Sequence, residues 1–236
     1  MTTAALIVAI DGPAGAGKSA AARELAFRLG VPYLDTGAMY RCVGLLASRA
    51  GLRFPFDEEA IARLGEAART LDIRFTGDPR SQRVALGDED VTDALRTPEA
   101  SQWASRVSAV PAVRRELVPR QREVAALTGG VVEGRDIGTV VFPSARFKFF
   151  ITASPEVRAR RRFDELLARG VRAAWEDVEA EQRERDLRDS SRADSPMVPA
   201  RDAVIVDTSD LTLEQVVGTL FAAISRDLDN ARRRSL

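Results

Sequence analysis

An unbroken apolar run, Leu6-Ile-Val-Ala-Ile10, leads straight into Asp11 and then Gly12-Pro-Ala-Gly-Ala-Gly-Lys-Ser19, and this junction constrains the fold more than any other stretch of the chain. The run reads as a strand buried on both faces, the environment of a parallel sheet. The eight residues after it satisfy G-x-x-x-x-G-K-S/T at every fixed position. Ala20 to Leu29 follows as a helix, with Leu25, Ala26 and Leu29 on one face and Gly30 as its stop. Glycines let such a loop curl so that its N–H groups point inward at phosphate oxygens, and the helix N-terminus adds its dipole. Lys18, expected in the loop rather than the core, reaches β- and γ-phosphates as a mobile charge, and the Ser19 hydroxyl can ligand Mg2+. From this chain's Gly, Lys, Ser and Thr frequencies the pattern arises by chance in about one chain per thousand. A tight turn with an exposed lysine is the alternative, although only two of the 35 cationic residues are lysine and one stands here.

Strand and helix signals alternate along the rest of the chain. Pro32-Tyr-Leu34 is a short second strand, followed by a helix to about Ala50, and Asp57 caps another through Thr70. Leu71-Asp-Ile-Arg-Phe75 and, more weakly, Val84-Ala-Leu86 alternate with period two around the turn signal Gly77-Asp-Pro, which predicts an antiparallel hairpin with a third strand near Val91. Two helices broken near Pro111 fill Thr97 to about Leu127. Val131-Val132, Phe147 to Ile151 and Ala203 to Asp207 read as further buried strands. Pro155 opens a long Arg-rich helical stretch divided near Gly170, and Leu211 to Leu228 is a last amphipathic helix. Arg232-Arg-Arg234 reads as a solvated tail. The pattern is α/β with a central parallel sheet, interrupted by a hairpin-bearing insert and an Arg-rich excursion.

Composition narrows the chemistry. The 236 residues, 45% hydrophobic and 30% charged, suit one large domain or two small ones with a packed core. Equal numbers of basic and acidic residues, 35 each, argue against a sequence-blind nucleic-acid binder. The absence of histidine removes Ser-His-Asp and Cys-His catalysis, HExxH zinc sites and histidine proton shuttles. A lone cysteine, Cys42, excludes disulfides within the chain and fits a reducing cytoplasm. The apolar start has no basic residues before it, so no signal peptide is expected, and no apolar run approaches the roughly 20 residues of a spanning helix. What remains is chemistry by Arg, Lys, Asp, Glu, Ser and backbone amides on a charged substrate.

In a doubly wound sheet, ligands bind beyond the carboxyl ends of the strands. Asp35-Thr-Gly-Ala-Met-Tyr-Arg41 and Glu133-Gly-Arg-Asp136 end two of the predicted strands and should both face the glycine loop. Their arginines suit bidentate phosphate binding. A solvated helix arginine at Arg41, and a structural ion pair in the turn at Arg135 and Asp136, are the alternatives. Arg158, Arg161 and Arg162 share one helical face, as do Arg185, Arg188, Asp189 and Arg192. A movable helical pair carrying arginines would deliver charge to phosphates and exclude water. Pairing with Glu156, Asp164, Glu165, Glu181 and Glu184 on an ordinary solvated face explains the same pattern.

Four segments together resemble the bacterial cytidylate (CMP) kinases: Asp11 to Ser19, Leu34 to Arg41, Glu133-Gly-Arg-Asp-Ile-Gly-Thr-Val-Val-Phe-Pro143, and Arg185-Asp-Leu-Arg-Asp-Ser-Ser-Arg192. They stand in that family's order and spacing over nearly the whole chain. The last two separate it from adenylate, guanylate and shikimate kinases. The hairpin at about 71–93 resembles the extra strands of the family's nucleoside-monophosphate (NMP) region. Glu133 stands where the family often has Asp, and Ala20 where a hydroxyl residue is common.

The resemblance implies a P-loop NTPase fold, a three-layer αβα core with an enlarged NMP-binding insert and a helical lid. It would be one domain, with core about 1–35, 130–155 and 200–236, NMP region about 36–129 and lid about 156–192. It implies transfer of the ATP γ-phosphoryl group to CMP or dCMP with Mg2+, by a cytoplasmic monomer with no nucleic-acid or membrane partner. Gly12, Pro13, Ala14, Gly15, Ala16, Gly17, Lys18, Ser19 and Ala20 would hold ATP, with Ser19 the metal ligand. Thr36, Arg41 and Arg135 would meet the CMP phosphate. Ser105, Arg114, Asp136 and Arg192 would read the cytosine edge, with Ser101 in place of Ser105 if the helix register shifts by a turn. Arg185 and Asp189 would contact the pentose. Lys18, Arg135, Arg158, Arg162 and Arg185 would stabilise the transferring phosphoryl group. Cytosine's amino donor suits a carboxylate such as Asp136, and its ring acceptors suit arginine. Two other readings use the same glycine loop: a small-metabolite kinase, for which the 71–128 insert is larger than needed, and a nucleotide-dependent switch or RNA-associated module, against which zero net charge argues.

Overall fold

The computed structural model describes residues 6–234, with side chains to residue 228. The expected solvated tail, Arg232 to Arg234, therefore has side chains outside the described residues.

The apolar runs form a five-stranded parallel sheet: β1 (Ile7–Asp11), β2 (Tyr33–Asp35), β6 (Gly130–Glu133), β7 (Phe147–Thr152) and β8 (Val204–Asp207), in the order β2-β6-β1-β7-β8. Register aligns Ile10 and Asp35 with Glu133, so the carboxyl ends of the three strands β2, β6 and β1 lie side by side. Leu25 and Ala26 of α1 (Lys18–Leu29) pack with Val217, Leu220 and Ile224 of α8 (Leu213–Arg234) on one face. The other face is covered by Ile137 and Val141 of a single π turn and by Ala125. Helix α1 ends at Gly30, whose φ of 65° is the left-handed conformation glycine adopts at no steric cost. Among the described residues no helix is long and apolar enough to cross a membrane.

The insert has a core of its own. Helices α2 (Thr36–Arg49), α3 (Glu58–Arg69), α4 (Pro98–Val107) and α5 (Pro111–Thr128) enclose Met39, Val43, Leu64, Trp103 and Leu117. The Asp57 side chain caps α3 by accepting the Ala60 amide at 2.8 Å. The period-two segments form a separate antiparallel sheet, β3 (Ile73–Thr76), β4 (Arg83–Leu86) and β5 (Glu89–Asp90). Helices α2 and α4 approach closely at Gly44, where an added Cβ would lie 2.6 Å from the Trp103 Cβ. The Arg-rich excursion is α6 (Pro155–Ala168) and α7 (Trp175–Ser190).

Three expectations need correction. The strand at 203–207 is not buried: β8 lies at the sheet edge with β7 as its single neighbour, and Val204 and Ile205 are 48% and 61% exposed. Lys18 is the first residue of α1 and is buried rather than sitting free in a loop. Arg192 lies beyond the end of α7, so it does not share a helix with Arg185, although it still pairs with Asp189.

Candidate active site

The glycine loop is shaped by contacts as well as by backbone freedom. Gly12 has φ 140°, and a Cβ there would fall 1.9 Å from the Ile151 carbonyl oxygen of β7. Gly15 and Gly17 have φ 76° and 84°. The buried Lys18 donates from Nζ to the Pro13 carbonyl at 2.6 Å. Burial, then the nearby Arg135, hold its pKa well below the usual lysine value. Ser19 Oγ donates to Glu133 Oε2 at 3.0 Å.

At the strand ends three carboxylates do different work. Asp35 caps α2 by accepting the Ala38 amide at 3.0 Å and pairs with Arg41. Glu133, buried at the end of β6, accepts from the hydroxyls of Ser19 and Tyr33. Burial, then the neighbouring Asp35, raise its pKa. Asp11, 3% exposed, accepts the amides of Ile137 and Gly138 at 2.7 Å each. Burial lifts its carboxyl from 3.8 to about 6 against the pull of those two hydrogen bonds. Glu133 and Asp11 are in the quoted motifs, but nothing local in the sequence marks them as joints between loops. The Thr36 hydroxyl faces the same region and donates to the Glu133 carbonyl at 2.7 Å.

Opposite the loop, α4, the 134–136 turn and α7 meet around Asp189, which accepts from Ser105 Oγ at 3.2 Å, from Arg135 Nε at 3.1 Å, and from Arg192. Burial pushes the Asp189 carboxyl up, but Arg135 and Arg192 outweigh it and hold it below its usual value. Arg188 donates to Ser105 Oγ at 2.9 Å and Arg192 to Ser108 Oγ at 2.8 Å. Asp136 pairs with the buried Arg114, which also donates to the Tyr40 hydroxyl at 3.2 Å. Both Ser101 and Ser105 line the cleft, and the hydrogen bonds to Asp189 and Arg188 belong to Ser105. Ser108 and Tyr40 join this network without having been singled out as site residues, and Arg188, expected on the Arg185 face, joins it through Ser105.

The cleft between loop and network has a volume of about 590 Å3. Of the proposed side chains, Lys18, Ser19, Thr36, Arg41, Ser105, Arg114, Arg135, Asp136, Arg162, Arg185, Asp189 and Arg192 line it, as do Ala14, Gly15, Gly17 and Ala20. Gly12, Pro13 and Ala16 shape the loop from behind. Arg158 also lies behind the loop. Its guanidinium donates to the Ala153 and Ala14 carbonyls at 3.0 and 3.2 Å and to Asp186 at 2.6 Å. The solvated-face alternative applies in part: Arg162 pairs with Glu165 and Arg188 with Glu184, whereas Arg185 faces the cleft.

Eleven Lys and Arg against seven Asp and Glu line the cleft, an excess of four in a chain whose totals balance at 35 each. Arg185 is the clearest sign of an anion site. Its Nε has no hydrogen-bond partner, and Asp189 is 3.9 Å away. Burial and then Arg135 lower its pKa to about 9. Such an arrangement binds phosphate groups.

Residues 8–226 match the family model for cytidylate kinase. The chain belongs to the cytidylate kinase family. It is 50% identical over 232 residues to a cytidylate kinase of Mycobacterium avium, covering 98% of this chain and 100% of that one. With a cytidylate kinase of Carboxydothermus hydrogenoformans it shares 47% over 222 residues, or 94% and 98% of the two chains. A crystal structure of an uncharacterized protein from Eubacterium ventriosum superposes with a TM-score of 0.50 at 12% identity over 94% of this chain and 98% of that one, a likeness of fold alone. For this family member the reading as an ATP-dependent nucleoside monophosphate kinase stands, and neither alternative function gains support from these matches.

Proposed function

We propose that the cleft transfers the γ-phosphoryl group of ATP to CMP or dCMP, giving ADP with CDP or dCDP. The observation that carries the assignment of roles is the local surplus of positive charge, centred on Arg185, whose Nε has no hydrogen-bond partner and whose ion pair with Asp189 is long at 3.9 Å. Loop amides and Lys18 hold the ATP phosphates. Thr36, Arg41 and Arg135 meet the α-phosphate of CMP. Arg135, Arg162 and Arg185 offset the negative charge spread over the transferring group, which needs positioning more than a strong base. Asp136 accepts the cytosine amino group while Arg114, Arg192 and Ser105 serve its other acceptors and donors. Asp189 and Arg185 hold the pentose. Arg158 ties lid to loop. The NMP region is residues 36–129, with its own core, and the lid 156–192.

Among the described residues no three Asp, Glu or Cys side chains converge as a metal site. That donor set suits a Mg2+ that arrives on phosphates and takes one protein hydroxyl, Ser19, with the Glu133 carboxylate beside it. Bound there, it would neutralise phosphate charge. We place the enzyme in the cytoplasm, acting as a monomer on free nucleotides.

The test is ADP formation from ATP with CMP, dCMP, UMP, AMP, GMP and shikimate. Fast turnover is expected with CMP and dCMP alone, and Lys18→Ala should abolish it. Turnover with shikimate and none with CMP would sink the assignment.

A further inference from the structure

The middle of the glycine loop is held by side chains of α6 and α7, with Gln182 lining the cleft beside Ala14 and Gly15. Gln182 of α7 is buried, and its Nε2 donates to the Ala14 carbonyl at 3.0 Å. Arg158 of α6 donates to the same oxygen at 3.2 Å. A Cβ on Gly15 would lie 2.8 Å from the Arg158 carbonyl oxygen and 2.9 Å from Gln182 Nε2. Position 15 is one of the free positions of G-x-x-x-x-G-K-S/T, so the phosphate-binding pattern does not demand glycine there. Its positive φ and the seated lid both do. Seven residues further along α7, Asp189 holds Ser105 on the acceptor side.

We propose that Gln182 is a positioning residue that fastens the lid to the donor loop, so that α7 acts as a strut joining the ATP end of the cleft to the CMP end. The inference rests on the phosphoryl-transfer reading above. With both ends fastened, the γ-phosphorus is open to the CMP phosphate and closed to water. With the Gln182 end loose, water competes: its oxygen attacks the γ-phosphorus, the bond to the β–γ bridging oxygen breaks, and ADP, inorganic phosphate and a proton leave.

The test compares Gln182→Met, which keeps the length and loses the donor, with Gln182→Glu, which sets a carboxylate against the Ala14 carbonyl. At pH 8 the kcat for CMP should fall about five- to tenfold in Gln182→Met, the worth of one hydrogen bond, and further in Gln182→Glu. KM for CMP should stay within about twofold. Phosphate release from ATP without acceptor, relative to transfer, should rise in the same order. A role in packing alone would lower the melting temperature and leave kcat per folded molecule and the hydrolysis ratio unchanged. That result, or equal losses in the two variants, overturns the proposal. No CMP turnover by the wild type would instead overturn the reading on which it rests.

Discussion

The carboxylate of Asp11 accepts the backbone amide of Gly138 at 2.7 Å, which ties the strand before the glycine loop to the turn that carries Arg135 and Asp136. This buried hydrogen bond joins segments that lie 127 positions apart in the chain.

Asp11 should leave a signature in the pH dependence of stability. Burial raises its carboxyl from 3.8 to about 6, so the folded chain holds the proton more tightly than the unfolded one. The stabilisation that follows is complete below about pH 4 and is lost as pH rises through about 6. At ~1.4 kcal/mol per unit it amounts to about 3 kcal/mol. Between pH 7 and pH 4 the wild type should therefore gain stability relative to Asp11→Asn in thermal melts. Parallel curves would remove Asp11 as the titrating group.

Arg185→Met should separate function from stability. The guanidinium is partly buried beside Arg135 with weak compensation, so its removal should raise the melting temperature of the free protein. At the same time kcat/KM for CMP should fall about a hundredfold, the cost of losing one preorganised charge. A variant that melts lower than the wild type would show that the surroundings compensate Arg185 fully.

Ser105 and Ser101 can be told apart by substitution. Ser105→Ala leaves Arg188 and Asp189 each short of a partner and should raise KM for CMP about tenfold, with KM for ATP unchanged. Ser101→Ala should change neither. The reverse pattern would move the base contact one turn along α4.

Gly44→Ala tests the core of the insert. The new methyl group would meet Trp103 at 2.6 Å, and α2 and α4 cannot part without disturbing Met39 and Val43. A loss of about 1–3 kcal/mol is expected in urea denaturation. An unchanged midpoint would mean that Trp103 is free to shift.

Much of the fold was legible because its signals are local. The hairpin strands around Gly77-Asp-Pro, the Asp57 cap and the Gly30 stop depend on residues a few positions away, and the observed elements fall at those places. Where the signal depended on environment, reading along the chain failed. Ala203 to Asp207 is as apolar as a buried strand but lies at the sheet edge. Arg158 has the spacing of a cleft residue, yet its guanidinium is taken by Ala153, Ala14 and Asp186.

By itself the amino-acid order determined the strand, glycine loop and helix from Leu6 to Leu29, the alternation that makes a parallel sheet, and the segments that mark the family. Apolar runs, glycine conformations and caps act between chain neighbours, so they can be read in one dimension. Only the tertiary structure decided which side chains work together. Ser19 meets Glu133 across 114 positions, Asp11 meets Gly138 across 127, and Gln182 meets Ala14 across 168. Such pairs exist because the order β2-β6-β1-β7-β8 brings distant strand ends to one edge and α7 reaches the glycine loop through Gln182. Hydrogen bonds and ion pairs form over a few ångströms of space, whatever length of chain lies between.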